Sequence, residues 1–215
     1  HRDLHSFPTR RSSDLSQKVM SPRVASKNEE IRQESMKKIM DAAFSLIASQ
    51  GYDATSIAQI AREAGVSKGL MYNYFDSKED LLEKLVKGAM NEGDKVIGEL
   101  LSDDPKVTLQ NIIKWFFKQL RERPEYWRLM TVLTFRIDKF AFVHDMATHK
   151  MKGYTSFLKE LLEKINFPNP AGEAKLMAAL FDGIAIQYLV IKEDYPLAEM
   201  ENFLIKKYCK KKLIA

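Results

Sequence analysis

The chain has 215 residues, 45% of them hydrophobic and 29% charged, with 34 Lys and Arg against 29 Asp and Glu. That apolar fraction can bury a core, which excludes a disordered or collagen-like chain. A single cysteine excludes an intramolecular disulfide framework and a cysteine-rich zinc site. The most apolar run, 178–191, is interrupted by Asp182 and Gln187 and falls short of the roughly 20 apolar residues a membrane crossing needs. No charged-then-apolar leader opens the chain, so the cytoplasm is the expected compartment.

Residues 1–19 have neither helical nor strand period, and they resemble the translation of a sequencing adapter. They are set aside as a non-native or disordered segment. Setting aside Arg2, Arg10, Arg11, Lys18, Asp3 and Asp14 leaves a net charge of +3. The tail lysines Lys206, Lys207, Lys210, Lys211 and Lys212 more than account for that excess. Overall basicity is therefore no nucleic-acid footprint, and a DNA-binding role has to rest on a motif.

Residues 20–30 read as an N-terminal arm carrying Arg23 and Lys27. Met36, Ile39, Met40, Ala43, Phe44 and Ile47 recur at three and four residues and predict a first helix, ended at Gln50-Gly51. A short helix is expected over 56–64 and another over 68–75. A longer one starts at Ser77, where Ser77 and Asp80 fit a capping box. Pro105 opens a helix whose apolar face is Leu109, Ile112, Ile113, Phe116, Phe117 and Leu120. Pro124 opens the next, and the pattern continues over 154–165. Residues 167–172 read as a loop, followed by helices over about 173–192 and 196–210. No alternating run and no repeat appears. The expected fold is all-α with about nine helices.

Residues 55–75 carry the functional signal. Ile57, Ile60, Ala61 and Ala64 form the inner face of one short helix, Gly65 can take positive φ at the turn, and Ser67 can cap the next helix. Met71 and Phe75 face inward. Lys68, Leu70, Tyr72, Asn73 and Tyr74 are left on the surface, where a solvated helix would carry Glu, Lys and Gln. Lys68 beside a helix N-terminus suits phosphate. Asn can pair with adenine, and tyrosine hydroxyls reach backbone oxygens. The alternative is a satisfied three-helix core with incidental aromatics.

Thr55, Ile60-Ala61, Ala64-Gly65-Val66-Ser67-Lys68-Gly69, Tyr72, Tyr74-Phe75, Lys78-Glu79 and Leu81 together resemble the TetR/AcrR family of bacterial transcriptional regulators, over roughly residues 31–87. The resemblance implies a dimer with a three-helix helix-turn-helix domain at 31–87. It implies a helical effector-binding and dimerisation domain at 88–215, in which a small effector usually releases the DNA. It also implies that Thr55, Tyr74 and Lys78 touch phosphates, while Ser67, Lys68, Gly69, Leu70, Tyr72 and Asn73 face the groove. An apolar Leu70 can contact a thymine methyl, which leaves Asn73 as the main polar reader of bases. One departure is charge: residues 20–87 hold ten Lys and Arg against ten Asp and Glu. The expected partners are a double-stranded operator, a second copy of the chain and a small effector. No enzyme activity, cofactor, metal or membrane role is expected. The competing readings are a helical small-molecule-binding protein or enzyme with a vestigial helix-turn-helix, and a regulator switched by a protein partner.

In the second half, residues 123–130 and 180–188 resemble effector-domain segments of some family members. The helix over 173–192 is apolar on two stripes, so it must be buried on two sides. Leu176, Leu180 and Gly183, with Leu197, Met200, Phe203 and Leu204 of the last helix, are the expected dimer face. Trp115, Trp127, Met130, Phe135, Met146, Tyr154, Met177, Phe181 and Tyr188, with Gln187 as a polar handle, are the expected pocket wall. A hydrophobic or amphipathic effector fits that set. His144 and His149 are five apart and do not stack as a metal pair on a helix. Cys209 reads as a surface thiol in a lysine-rich tail, its pKa lowered slightly by that charge.

Overall fold

Polar side chains set where most of the helices begin. The structure is a computed structural model that describes residues 22–136 and 139–210, without the side chains of 22–26 and 92–94. Residues 1–19 and the side chain of Arg23 lie outside that description. The helices are α1 (Pro22–Gln50), α2 (Ile57–Glu63), α3 (Lys68–Tyr72), α4 (Lys78–Leu100), α5 (Pro105–Glu122), α6 (Pro124–Thr134), α7 (Ala141–Lys164), α8 (Pro170–Ile191) and α9 (Leu197–Tyr208), with a 3-10 turn at Lys192–Asp194. There is no strand among the described residues.

Ser56 caps α2 through a full capping box with Gln59, and Ser67 caps α3. At α4 the Asp80 N–H donates to Ser77 Oγ (3.0 Å), but the Asp80 carboxylate reaches back one residue further than expected and accepts from the Asp76 N–H (3.0 Å). Asp104 caps α5, with Pro105 in its first turn.

Apart from α3, three boundaries differ from the sequence reading. Residues read as an arm are helical from Pro22 onward. The helix seen at 154–165 extends back to Ala141. α8 begins at Pro170, inside the segment read as a loop, because Asn169 adopts φ 49° and its side chain accepts the Gly172 N–H (3.2 Å). Pro170 then occupies a first-turn position where a missing N–H costs nothing.

Two apolar cores result. One joins Ile39, Ala43 and Ile47 of α1, Ile60 and Ala61 of α2, Met71, Phe75 and the start of α4 with Leu129, Leu133, Phe140 and Val143. The other joins the predicted face of α5 to Leu158, Leu161 and Leu162 of α7, Ala174, Met177, Phe181 and Ile184 of α8, and Leu197, Leu204 and Tyr208 of α9. A fully buried Leu, Ile or Phe contributes roughly 1.5–3 kcal/mol. Cys209 packs against this second core. Burial pushes its thiol up to about 11 despite the opposing field of Lys106, a correction to the lowered value expected from the tail.

α8 resolves its two stripes in opposite directions. By length and composition alone it could cross a membrane. Its Met177 stripe is instead built into the core against α7, while Leu176, Ile186, Val190 and Ile191 are exposed.

The first core is tied to the α6–α7 segment by more than apolar contact. Asp53, in the turn after α1, pairs with both Lys139 and Arg136. These two cations hold its carboxyl down at about 2. Tyr52 meets Phe140 edge-on, with ring centres 4.9 Å apart.

Candidate nucleic-acid interface

The connection from α2 to α3 is a tight turn with one left-handed position. Gly65 sits at φ 67°, where a side chain would be disfavoured, and the following Val66 N–H donates to Ala61 O (2.9 Å). Leu70 N–H then donates to Ser67 Oγ (3.1 Å), which starts α3. Ile60 and Ala61 of α2 and Met71 of α3 are buried together, so the inner faces fix how the two helices cross.

Opposite that buried side, Ser67, Lys68, Gly69, Tyr72 and Asn73 are exposed, and Leu70 and Tyr74 are half-buried. Tyr72 is 52% exposed, a large aromatic presented on a helix of five residues. α3 is shorter than the predicted 68–75. The Asn73 N–H bonds back to Leu70 O (3.2 Å) and the Tyr74 N–H to Met71 O (3.1 Å), which tightens the last turn and leaves Asn73 just past the helix.

Thr55 and Lys78 are placed differently from the surface contacts the resemblance implies. Thr55 is 1% exposed; its hydroxyl donates to Gly51 O (2.8 Å) and accepts from Gln50 Nε2 (3.2 Å). Lys78 Nζ donates to Tyr52 O (2.8 Å) and Thr55 O (2.7 Å) and stands 4.1 Å from the Tyr52 ring centre. Burial lowers its pKa, and the Asp53 charge opposes that shift. Both residues therefore brace the loop that orients α2. For Lys78 periodicity could not show this, because its acceptors lie 26 and 23 residues away. The sequence reading also passed over Arg32 of α1, whose guanidinium lies 5.9 Å from the Tyr74 ring centre on this same side of the chain.

Gly69 is informative for what it does not contact. A Cβ added there would meet only Ser67 Oγ, at 3.9 Å, so the chain itself has no steric need for glycine. Glycine inside a helix costs up to about 1 kcal/mol relative to alanine. A reason lying outside the chain is close approach of a partner's backbone. If α3 meets a nucleic-acid backbone, Gly69→Ala is expected to leave the thermal midpoint unchanged or raise it by a few degrees, while weakening that binding roughly tenfold. Melting curves and a binding titration on the same preparation check both halves.

The remaining predicted residues scatter. Trp115 and Trp127 line one cleft of about 360 Å³ between α4, α5 and α6. Met177 and Phe181 are core, Tyr154 and Tyr188 pack against that core, and Met130 and Met146 pack against the other. Gln187 is exposed and Phe135 is 75% exposed, which removes both from any enclosed wall within one subunit. Of the expected dimer face, Leu176 and Phe203 are exposed, and Leu180, Gly183 and Met200 are partly so. Leu197 and Leu204 are buried within the chain at 8% and 0% exposure and leave that face, because α9 packs them against α5.

Residues 39–85 match the family described as "Bacterial regulatory proteins, tetR family". The chain is 44% identical over 55 residues to the fatty acid metabolism regulator protein of Bacillus subtilis, a match that covers 26% of this chain and 28% of that protein. It is 28% identical over 188 residues to the HTH-type transcriptional regulator AcrR of Shigella flexneri, covering 84% of this chain and 83% of AcrR. In fold it is similar to the transcriptional regulator FadR of Bacillus subtilis, solved in complex with stearoyl-CoA, with a TM-score of 0.68 at 21% identity over 81% of this chain and 97% of that one. Matched segment, helix order and the buried and exposed sides of α2 and α3 agree: residues 39–85 form a helix-turn-helix segment of the tetR regulatory-protein type, in a chain that spans about a quarter of the length of the first curated relatives it matches.

Proposed function

We propose that the protein is a homodimeric, ligand-responsive DNA-binding regulator, a repressor released from a palindromic operator by a small hydrophobic or amphipathic effector. The observation that carries this reading is the outward side of α3. It gathers Ser67, Lys68, Gly69, Tyr72 and Asn73 in the open, on a helix whose other side is fixed in the core. Lys68 supplies charge to a phosphate, Tyr72 a hydroxyl, and Asn73 a donor–acceptor pair for a base edge. Residues 31–87 act as the DNA-binding unit and 88–215 as the effector and dimerisation region. Binding DNA implies residence with the chromosome, in the bacterial cytoplasm.

Net charge in the first unit is zero, so affinity has to come from placement and from pairing of two copies. The outer stripe of α8 supports such pairing. Val190 is 76% exposed, Ile191 47%, Leu176 45% and, on α9, Phe203 60%. A Cβ at Gly183 would meet nothing within 4 Å in the single chain, which leaves room for a close crossing by a partner helix. An isologous four-helix contact through α8 and α9 fits that surface.

Coupling runs along α6. Tyr126 and Trp127 near its start stand on the cleft, while Arg136 and Lys139 just past its end pair with Asp53. An effector that shifts α6 moves Asp53 and Tyr52, and with them the loop that Lys78 holds against α2. It acts by binding better to a state in which the two α3 helices are wrongly spaced.

Selection of random duplex DNA by the purified protein tests the reading. The expected product is an inverted repeat with half-site centres one helical turn apart, about 34–36 Å. A pool with no enriched sequence would sink the reading.

A further inference from the structure

The chain has two tryptophans, and both stand on one cleft. Trp115 comes from α5 and Trp127 from α6, and between them the wall includes Tyr126, Gln119 and two cations, Lys95 and Arg123. No carboxylate lines the cleft among the described residues. Trp127 stands edge-on to Tyr126, with ring centres 5.7 Å apart at 88°, and edge-on to Phe116 at 5.3 Å and 83°. The Arg123 guanidinium lies 5.4 Å from the Tyr126 ring centre. These rings brace one another and offer flat, stiff walls.

Two polar groups at the cleft lack partners. The indole Nε1 of Trp127 is buried and has no hydrogen-bond acceptor. A buried donor in that state is costly, and an arriving acceptor relieves the cost. Lys95 makes no hydrogen bond or ion pair among the described residues. Flat apolar walls and an uncommitted ammonium together call for a flat apolar body with an anionic group at one end.

We propose that this cleft binds a planar aromatic acid, with its ring system against Trp115, Tyr126 and Trp127 and its carboxylate paired with Lys95. That this molecule is the effector rests on the regulator reading above; that it binds does not. A straight-chain acid would use the same charge but gain less from stiff aromatic walls, because its chain must be ordered on entry.

Calorimetry with naphthoate, naphthalenemethanol and decanoate tests this on the free dimer without DNA. Tryptophan emission gives a second readout confined to the cleft, since no tryptophan lies elsewhere. Naphthoate is expected to saturate one site per chain and quench that emission. The uncharged alcohol is expected to bind roughly tenfold more weakly, the usual effect of losing one charge-assisted contact. Lys95→Gln, at an exposed position, is expected to weaken naphthoate roughly tenfold and leave the alcohol unchanged, with Lys95→Arg restoring most of the loss. Equal affinity for acid and alcohol, or no effect of Lys95→Gln, overturns the anion assignment. Binding of decanoate without naphthoate overturns the aromatic one. Failure of these titrations leaves the operator selection untouched, and failure of that selection leaves them untouched.

Discussion

Replacing Tyr72 and Asn73 together with alanine is expected to lower affinity for the selected operator by roughly 100-fold or more. A well-made base contact carries about 1–3 kcal/mol, and a dimer loses it twice. Tyr72 is 52% exposed and Asn73 lies exposed just past the helix, so neither holds the core. Surface substitutions of that kind stay within about 0.5 kcal/mol of the parent stability. The double variant should therefore melt with the wild type and elute in the same oligomeric state. The measurement is a binding isotherm beside a melting curve. Lost affinity with a lowered midpoint would reassign the pair to the fold, and unchanged affinity would remove α3 as the reading element.

The second large effect is on assembly. In the proposed dimer, Val190→Asp with Phe203→Asp is expected to leave only monomer at micromolar concentration. Both side chains are exposed in the single chain, at 76% and 60%, so the change strains nothing there. In an isologous contact each charge is buried twice without a partner, at a cost of several kcal/mol. Operator affinity should then fall by roughly 10²–10³-fold as avidity is lost, although α3 is untouched. Sedimentation equilibrium decides the matter. A dimer of unchanged affinity would show that subunits meet elsewhere or that α8 serves another partner.

Much of the fold was legible because its signals are local. Ser56, Ser67 and Ser77 sit immediately ahead of helices and each caps one. Pro105 and Pro124 occupy first-turn positions of α5 and α6. The apolar face of α5 could be read residue by residue from its period, and all six of its predicted members are buried. Gly65 was legible for the same reason, since a turn between two short inward-facing helices needs positive φ.

What escaped the sequence was long-range. Whether Leu197 and Leu204 face inward or toward a partner depends on where α9 docks, and a stripe of leucines is equally consistent with both. Thr55 and Lys78 belong to a brace whose acceptors are backbone carbonyls, which carry no side-chain signature. Phe135 and Trp127 look alike as bulky aromatics in one helical stretch. One is 75% exposed, and the other meets Phe116 and Tyr126 at a cleft. The cleft itself depends on the separation of α4, α5 and α6, which no single helix encodes.

The most direct measurement is a change of specificity. Asn73→Arg replaces a side chain suited to adenine with one suited to the O6 and N7 acceptors of guanine. Random-sequence selection with this variant, run beside the wild type, should return the same inverted repeat with guanine newly preferred at one symmetric pair of positions. If it instead returns the wild-type sequence unaltered, or weakens evenly at every position, α3 does not read the bases and the account fails.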